Sequence, residues 1–234
     1  RGAGEPEARC EAARLLIYLV KKADGIASDM GETAVNWEVV EHAVRTLNDI
    51  FEAETEARTA VVRDDAISLL ASVVRSPCAS RRTKLEISRA LTTLAESDDT
   101  NVDRIAETGI IPTLLTLLKS TNVEEHEAHL PLLACLAAEN RQKNLESVFK
   151  HKGIVVIVWF ITHSEKNVTD SKAIRILTNL ASQDDKYKAA IQQEPGVIPA
   201  LETLSAGADL QENRLAATAL LAILKARKGC CAIA

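Results

Sequence analysis

The chain has 234 residues, 47% of them apolar and only 3% aromatic, with nine Gly and six Pro. That apolar load is too high for a disordered chain, and the scarcity of aromatic and turn residues excludes an all-β sandwich. A formal net charge of −5, with both signs spread along the chain, disfavours a general nucleic-acid binder, which needs a basic balance. The apolar residues are mostly Leu, Ala, Ile and Val, so helices are expected. Five scattered cysteines form no disulfide framework, and a reducing, intracellular and cytoplasmic setting is expected. No apolar run reaches transmembrane length.

In chain order, the first expected element is a helix over 9–23, followed by an insert from Gly25 to Asn36 and a second helix over 36–52. From there the sequence repeats itself. The openings Gly109-Ile110-Ile111-Pro112, Gly153-Ile154-Val155-Val156 and Gly196-Val197-Ile198-Pro199 are spaced by 44 and 43 residues. A step of 44 back from Gly109 reaches Asp65, where the same pattern stands without its glycine. A second marker keeps the same period out of phase with the first: Leu91 with Leu94, Leu133 with Leu136, Leu177 with Leu180, Leu221 with Leu224, and an early copy at Leu47 and Ile50. Two independent markers holding one period define a repeat architecture.

Each unit reads as three helices. A short apolar helix follows the glycine, with Pro112 or Pro199 in its first turn, where proline is tolerated. A polar turn such as 164–167 or 206–209 leads to a longer amphipathic helix, expected at 81–96, 124–139, 169–182 and 211–226. The polar links Ser97-Asp98-Asp99 and Gln183-Asp184-Asp185 are expected to supply caps for the next short helix, at 102–107, 143–150 or 186–193. That helix ends at the following glycine, which suits a left-handed C-cap. Residues 154–161 alone look like a strand, being β-branched and aromatic, but the repeat makes them a helix.

Three helices per unit of 42–44 residues, the G-[IV]-[IV]-P-x-L openings and the ending Leu177-Thr178-Asn179-Leu180-Ala181 together resemble the armadillo repeat family. The resemblance implies an all-α, right-handed armadillo-type helical solenoid of about 4–5 three-helix repeats. It implies one domain over 1–234, with repeats at 9–63, 64–108, 109–152, 153–195 and 196–228, the first acting as a cap. It also implies a protein–protein interaction scaffold or adaptor, not an enzyme, binding a partner segment in a groove lined by the third helices. In armadillo proteins of the importin-α type that groove carries Trp and Asn four residues apart. Here the Asn position reads Asp49, Thr93, Cys135, Asn179 and Ile223, and the position four earlier reads Arg45, Arg89, Pro131, Arg175 and Ala219. Arginine in place of Trp is more similar to the β-catenin type, which holds extended acidic partners. The expected groove residues are therefore Arg45, Asp49, Arg89, Thr93, Arg175 and Asn179, because the planar guanidinium pairs bidentately with carboxylates.

Other sites are weighed beside these. Leu115 and Trp159 are expected to be partly exposed on an outer patch, because the aligned residue of the last repeat is Glu202. Cys231-Ala232-Ile233-Ala234 fits a prenylation signal, with Cys230 as a second acylation site, so a lipid-anchored adaptor that meets membranes only through Cys231 is one alternative function. A subunit of a large assembly is another. His126 and His129 sit three apart on a helix start but lack a third ligand, so no metal is expected there, and they read as a solvated helix start. Cys135 reads as a small core residue. No catalytic motif, cofactor site or small-molecule substrate site is found, and no nucleic-acid partner is expected.

Overall fold

The computed structural model describes residues 4–30, 35–63, 65–163, 170–207 and 211–226. The turn at 164–167, part of the turn at 206–209, and Cys230 and Cys231 lie outside them. Among the described residues there are fourteen helices and no strand. They form two compact units, Arg1–Leu136 and Ala137–Ala234.

The first unit opens with α1 (Gly4–Met30), α2 (Trp37–Ala53) and α3 (Thr55–Arg63). A triplet and a pair follow. These are α4 (Ala66–Arg75), α5 (Arg81–Ser97) and α6 (Asp99–Glu107), then α7 (Ile111–Leu117) and α8 (Val123–Leu136). The long helices α2, α5 and α8 pack in succession, while α1 lies against α2, α3 and α4. The second unit holds α9 (Gln142–Lys150), α10 (Gly153–His163), α11 (Asp170–Gln183), α12 (Asp185–Gln193), α13 (Val197–Gly207) and α14 (Gln211–Lys225). Here α10 packs on α13, and α11 on α14.

The repeat markers are the core. Leu47, Leu91, Leu94, Leu133, Leu136, Leu177, Leu180, Leu221 and Leu224 are all buried. Each pair of leucines lies three residues apart on a long helix and so seals one helical face against its neighbour. The polar links do supply caps, through their middle residues: Asp98 accepts from the Thr100 amide at 2.8 Å, and Asp184 from the Lys186 amide at 2.8 Å. The β-branched run 154–161 is helical, as the repeat requires, and its two large exposed residues, Val155 and Trp159, lie four apart on one face.

The glycine caps behave less uniformly than the sequence suggests. Gly109 and Gly196 take left-handed backbone, with φ of 73° and 80°. Gly153 instead begins α10, and the left-handed residue is Lys152, at φ 59°. Asp65, the glycine-less copy, also adopts φ 59°. The backbone turn between repeats is therefore kept even where no glycine supplies it, and Asp is among the side chains that tolerate it best.

Two expectations are corrected on length. The segment Gly25–Asn36 is not an insert throughout, because α1 continues to Met30. The helix expected to end at 139 stops at Leu136, and Ala137 lies in a turn.

Candidate functional site

The contacts between α2 and α5 rise together along both helices, pairing Glu41 with Arg82 and Arg45 with Glu86. Those between α5 and α8 do likewise, pairing Arg81 with Glu125 and Ser88 with His129. The three helices are thus parallel, and their capped N-termini share one edge. Asn36, Ser80 and Asn122 cap α2, α5 and α8 through the Glu38, Thr83 and Glu124 amides at 3.2, 3.1 and 2.8 Å.

Across this face lies a layer of guanidinium groups over carboxylates. Arg45 places Nη2 2.6 Å from Glu41 Oε1 and Nε 3.6 Å from Glu86 Oε1. Arg89 places Nη1 3.1 Å from Glu86 Oε1, Arg82 reaches Glu41 at 3.8 Å, and Arg81 pairs with Glu125. The three glutamates are buried, whereas the four arginine side chains are about half exposed or more, Arg82 most of all at 72%. Buried carboxylates demand partners. The pairs run through Nη2 and Nε of Arg45, Nε of Arg81, and Nη1 of Arg82 and Arg89, a part of the five N–H donors that each guanidinium carries.

Arg45 and Arg89 both pair with Glu86, a residue the sequence analysis did not include. Asp49 is exposed on α2, and Thr93 is half-buried on α5 with its hydroxyl donating to the Arg89 carbonyl at 3.3 Å. Arg175 is exposed on α11 and makes no ion pair among the described residues. Asn179 is half-buried, and its Nδ2 donates to the Ala137 carbonyl at 2.8 Å. Arg81, Arg82, Glu41, Glu86 and Glu125 were missed. A signal for two of the pairs was present: Glu41 with Arg45 and Glu86 with Arg89 are (i, i+4) and (i, i+3) pairs of the favourable order.

A second polar cluster lies at the α5–α8 seam. His129 Nδ1 is 2.9 Å from Ser88 Oγ, and both residues are buried, His129 at 1% exposure. Desolvation holds the imidazole pKa down to about 4, against an opposing pull from Glu125. His126 is also buried, with Nε2 2.6 Å from the Ser120 carbonyl. The expected solvated helix start is thus a sealed polar seam, because Glu125 and both histidines turn toward α5 and the preceding turn. A Ser–His pair buried this deeply admits no substrate, so its role is structural. No group of His, Cys, Asp or Glu suited to a metal exists among the described residues.

The outer patch is corrected by half. Leu115 is 2% exposed, while Trp159 is 39% exposed. The inference from Glu202 failed because a long side chain can leave a site that encloses a shorter one: Glu202 reaches out to Lys225 at 2.7 Å. Cys135 is half-buried, not a core residue. Among the described residues no helix is long and apolar enough to cross a membrane.

No protein-family model and no curated protein matches the sequence. Solved structures do match its fold. A designed armadillo repeat protein superposes with a TM-score of 0.68 at 16% identity, over 96% of this chain and 94% of that one. A designed armadillo repeat protein in complex with the peptide (KR)4 gives 0.67 at 18% identity, over 93% and 92%. The armadillo-repeats-only protein of Plasmodium falciparum gives 0.67 at 20% identity, over 80% of each chain. The chain is an all-α protein of armadillo-type repeat fold.

Proposed function

We propose that the chain is a non-catalytic interaction scaffold that takes an extended, acidic protein segment on the face of its third helices. The observation that carries this reading is the guanidinium layer on α2 and α5, half-exposed and held from beneath by Glu41 and Glu86. Arginines fixed in this way lose little conformational freedom on binding, so less of the interaction energy is spent on ordering. In the resemblance to armadillo proteins the same face holds peptides, and one structural neighbour is a designed protein in complex with (KR)4. The outward arginines of this chain repel a basic peptide of that kind and attract an acidic one. On this reading Arg45, Arg89 and Arg175 contact acidic side chains, while Asn179 Oδ1 accepts from a partner amide.

A subunit role in a larger assembly is the second reading, favoured by one observation. Leu15, Tyr18, Leu19 and Ile26 stand exposed along α1, more apolar surface than a helix facing only water carries. The lipid-anchored adaptor rests on Cys230 and Cys231 alone.

Photo-crosslinking separates these readings. A crosslinking residue at Thr93 should capture a partner segment rich in Asp and Glu, and one at Val155 on α10 should not. Capture at Val155 or along α1, with none at Thr93, contradicts the groove reading.

A further inference from the structure

At the N-terminal edge of α2 and α5 the surface sinks into a depression of about 550 Å³, lined by Trp37, Glu41, Arg45, Ser80, Arg81 and Arg82 among others. We propose that this depression receives a phosphoryl group carried by the partner segment, a phosphorylated serine or threonine side chain. The inference rests on the scaffold reading above and names the group the partner must bring.

Three observations lead to it. First, three arginines reach the depression from two helices, and each has already given one edge to a resident carboxylate: Arg45 to Glu41 and Glu86, Arg81 to Glu125, Arg82 at longer range to Glu41. What remains is a set of N–H donors on separate guanidinium groups. A carboxylate matches a single fork and carries one charge, so it engages fewer of these donors than a phosphoryl group does. A phosphoryl group brings three acceptor oxygens and a charge of about −1.5 to −2 near neutral pH, enough to bridge several forks at once. Second, α2 and α5 both begin here, so their N-terminal dipoles add positive potential at the same edge. Third, Trp37 lines the depression, and its buried Nε1 has no hydrogen-bond partner among the described residues. Glu38 and Glu41 also line the depression and keep it selective, because a weak or diffuse anion gains too little to offset them.

The test uses the full chain and two synthetic acidic peptides of identical sequence, one with a central phosphoserine and one with serine. Titration is followed by the arginine Nε–H resonances and by calorimetry. The phosphopeptide should bind at least tenfold more tightly and move the Arg45, Arg81 and Arg82 resonances. Arg82→Ala, at the most exposed of the three, should remove most of that preference without unfolding the chain, and Arg82→Lys should restore part of it. Equal affinity for the two peptides, with shifts still confined to Arg45 and Arg89, overturns the phosphoryl site and leaves the scaffold reading standing. Shifts spread over arginines throughout the chain overturn both. Vesicles containing a phosphoinositide provide the remaining arm: saturable binding to them, with none to the phosphopeptide, assigns the depression to a membrane and overturns the proposal.

Discussion

Glu86 of α5 forms an ion pair with Arg45 of α2 across the helix seam at 3.6 Å and accepts from Arg89 of its own helix at 3.1 Å. The same residue receives Asn48 Nδ2 at its carbonyl, 3.0 Å, and at Oε2, 3.2 Å. One buried carboxylate thus orders two arginines of the proposed binding face and ties two repeats together.

Replacing Glu86 by Ala should separate these roles. It removes the carboxylate that Arg89 pairs with, while Arg45 keeps Glu41 and the Asn48 amide keeps the backbone carbonyl of residue 86. Loss of one partner of a buried pair costs about 3–5 kcal/mol, and the exposure of both arginines reduces this to roughly 1–2 kcal/mol. Denaturant unfolding should show the midpoint fall with an unchanged slope. An unchanged midpoint means Glu86 contributes only position.

His129 sets a pH dependence. Its pKa is 6.5 when unfolded and about 4 when folded, chiefly through desolvation. Between those values the unfolded chain binds the extra proton, so stability is complete above about pH 6.5 and declines as the pH falls toward 4. The shift corresponds to about 3 kcal/mol. His129→Gln should flatten the stability profile between pH 6.5 and 4.5 relative to wild type, leaving only the carboxylate contribution below it. Parallel profiles for the two proteins contradict the assignment.

The left-handed caps give a local test. A Cβ added at Gly109 meets nothing within 4 Å, so Gly109→Ala strains only the backbone at φ 73°. The cost should be about 1 kcal/mol, seen as a lower melting temperature with no change in helical signal. A stabilised Ala variant contradicts the cap geometry.

The fold was legible because the paired leucines of the second marker are buried in the core, and a buried face must repeat wherever the backbone repeats. The interhelical half of the site was not. Arg81 and Arg82 sit before the aligned arginine position, and their partners lie about forty residues away, a separation that no local pattern marks. The burial of Leu115 was misjudged because alignment transfers backbone position and not side-chain reach. Asp65 shows the reverse case, a glycine site recognisable only by its spacing.

Repeat continuity predicts that 1–234 unfolds as one cooperative domain. α13 and α14 cover α10 and α11, so removing 196–234 should expose apolar surface and cause aggregation. Calorimetry of the full chain should show a single transition. Two resolved transitions, or a soluble and fully helical 1–195 fragment, contradict the single-domain reading.

The central claim is that the arginine face reads an acidic segment. Arg→Glu changes at 45 and 89 are unsuitable, since each would set a new carboxylate against Glu86. The neutral triple variant Arg45→Gln, Arg89→Gln, Arg175→Gln removes the charge and keeps hydrogen-bonding capacity. Each exposed pair contributes only about 0–1 kcal/mol, so the combined loss should be about tenfold or more in affinity for an acidic peptide. The most direct measurement is that affinity for wild type and triple variant between 50 and 500 mM salt. The account predicts a steep salt dependence for wild type, and weaker, nearly salt-independent binding for the variant. Equal affinities and equal slopes would contradict it.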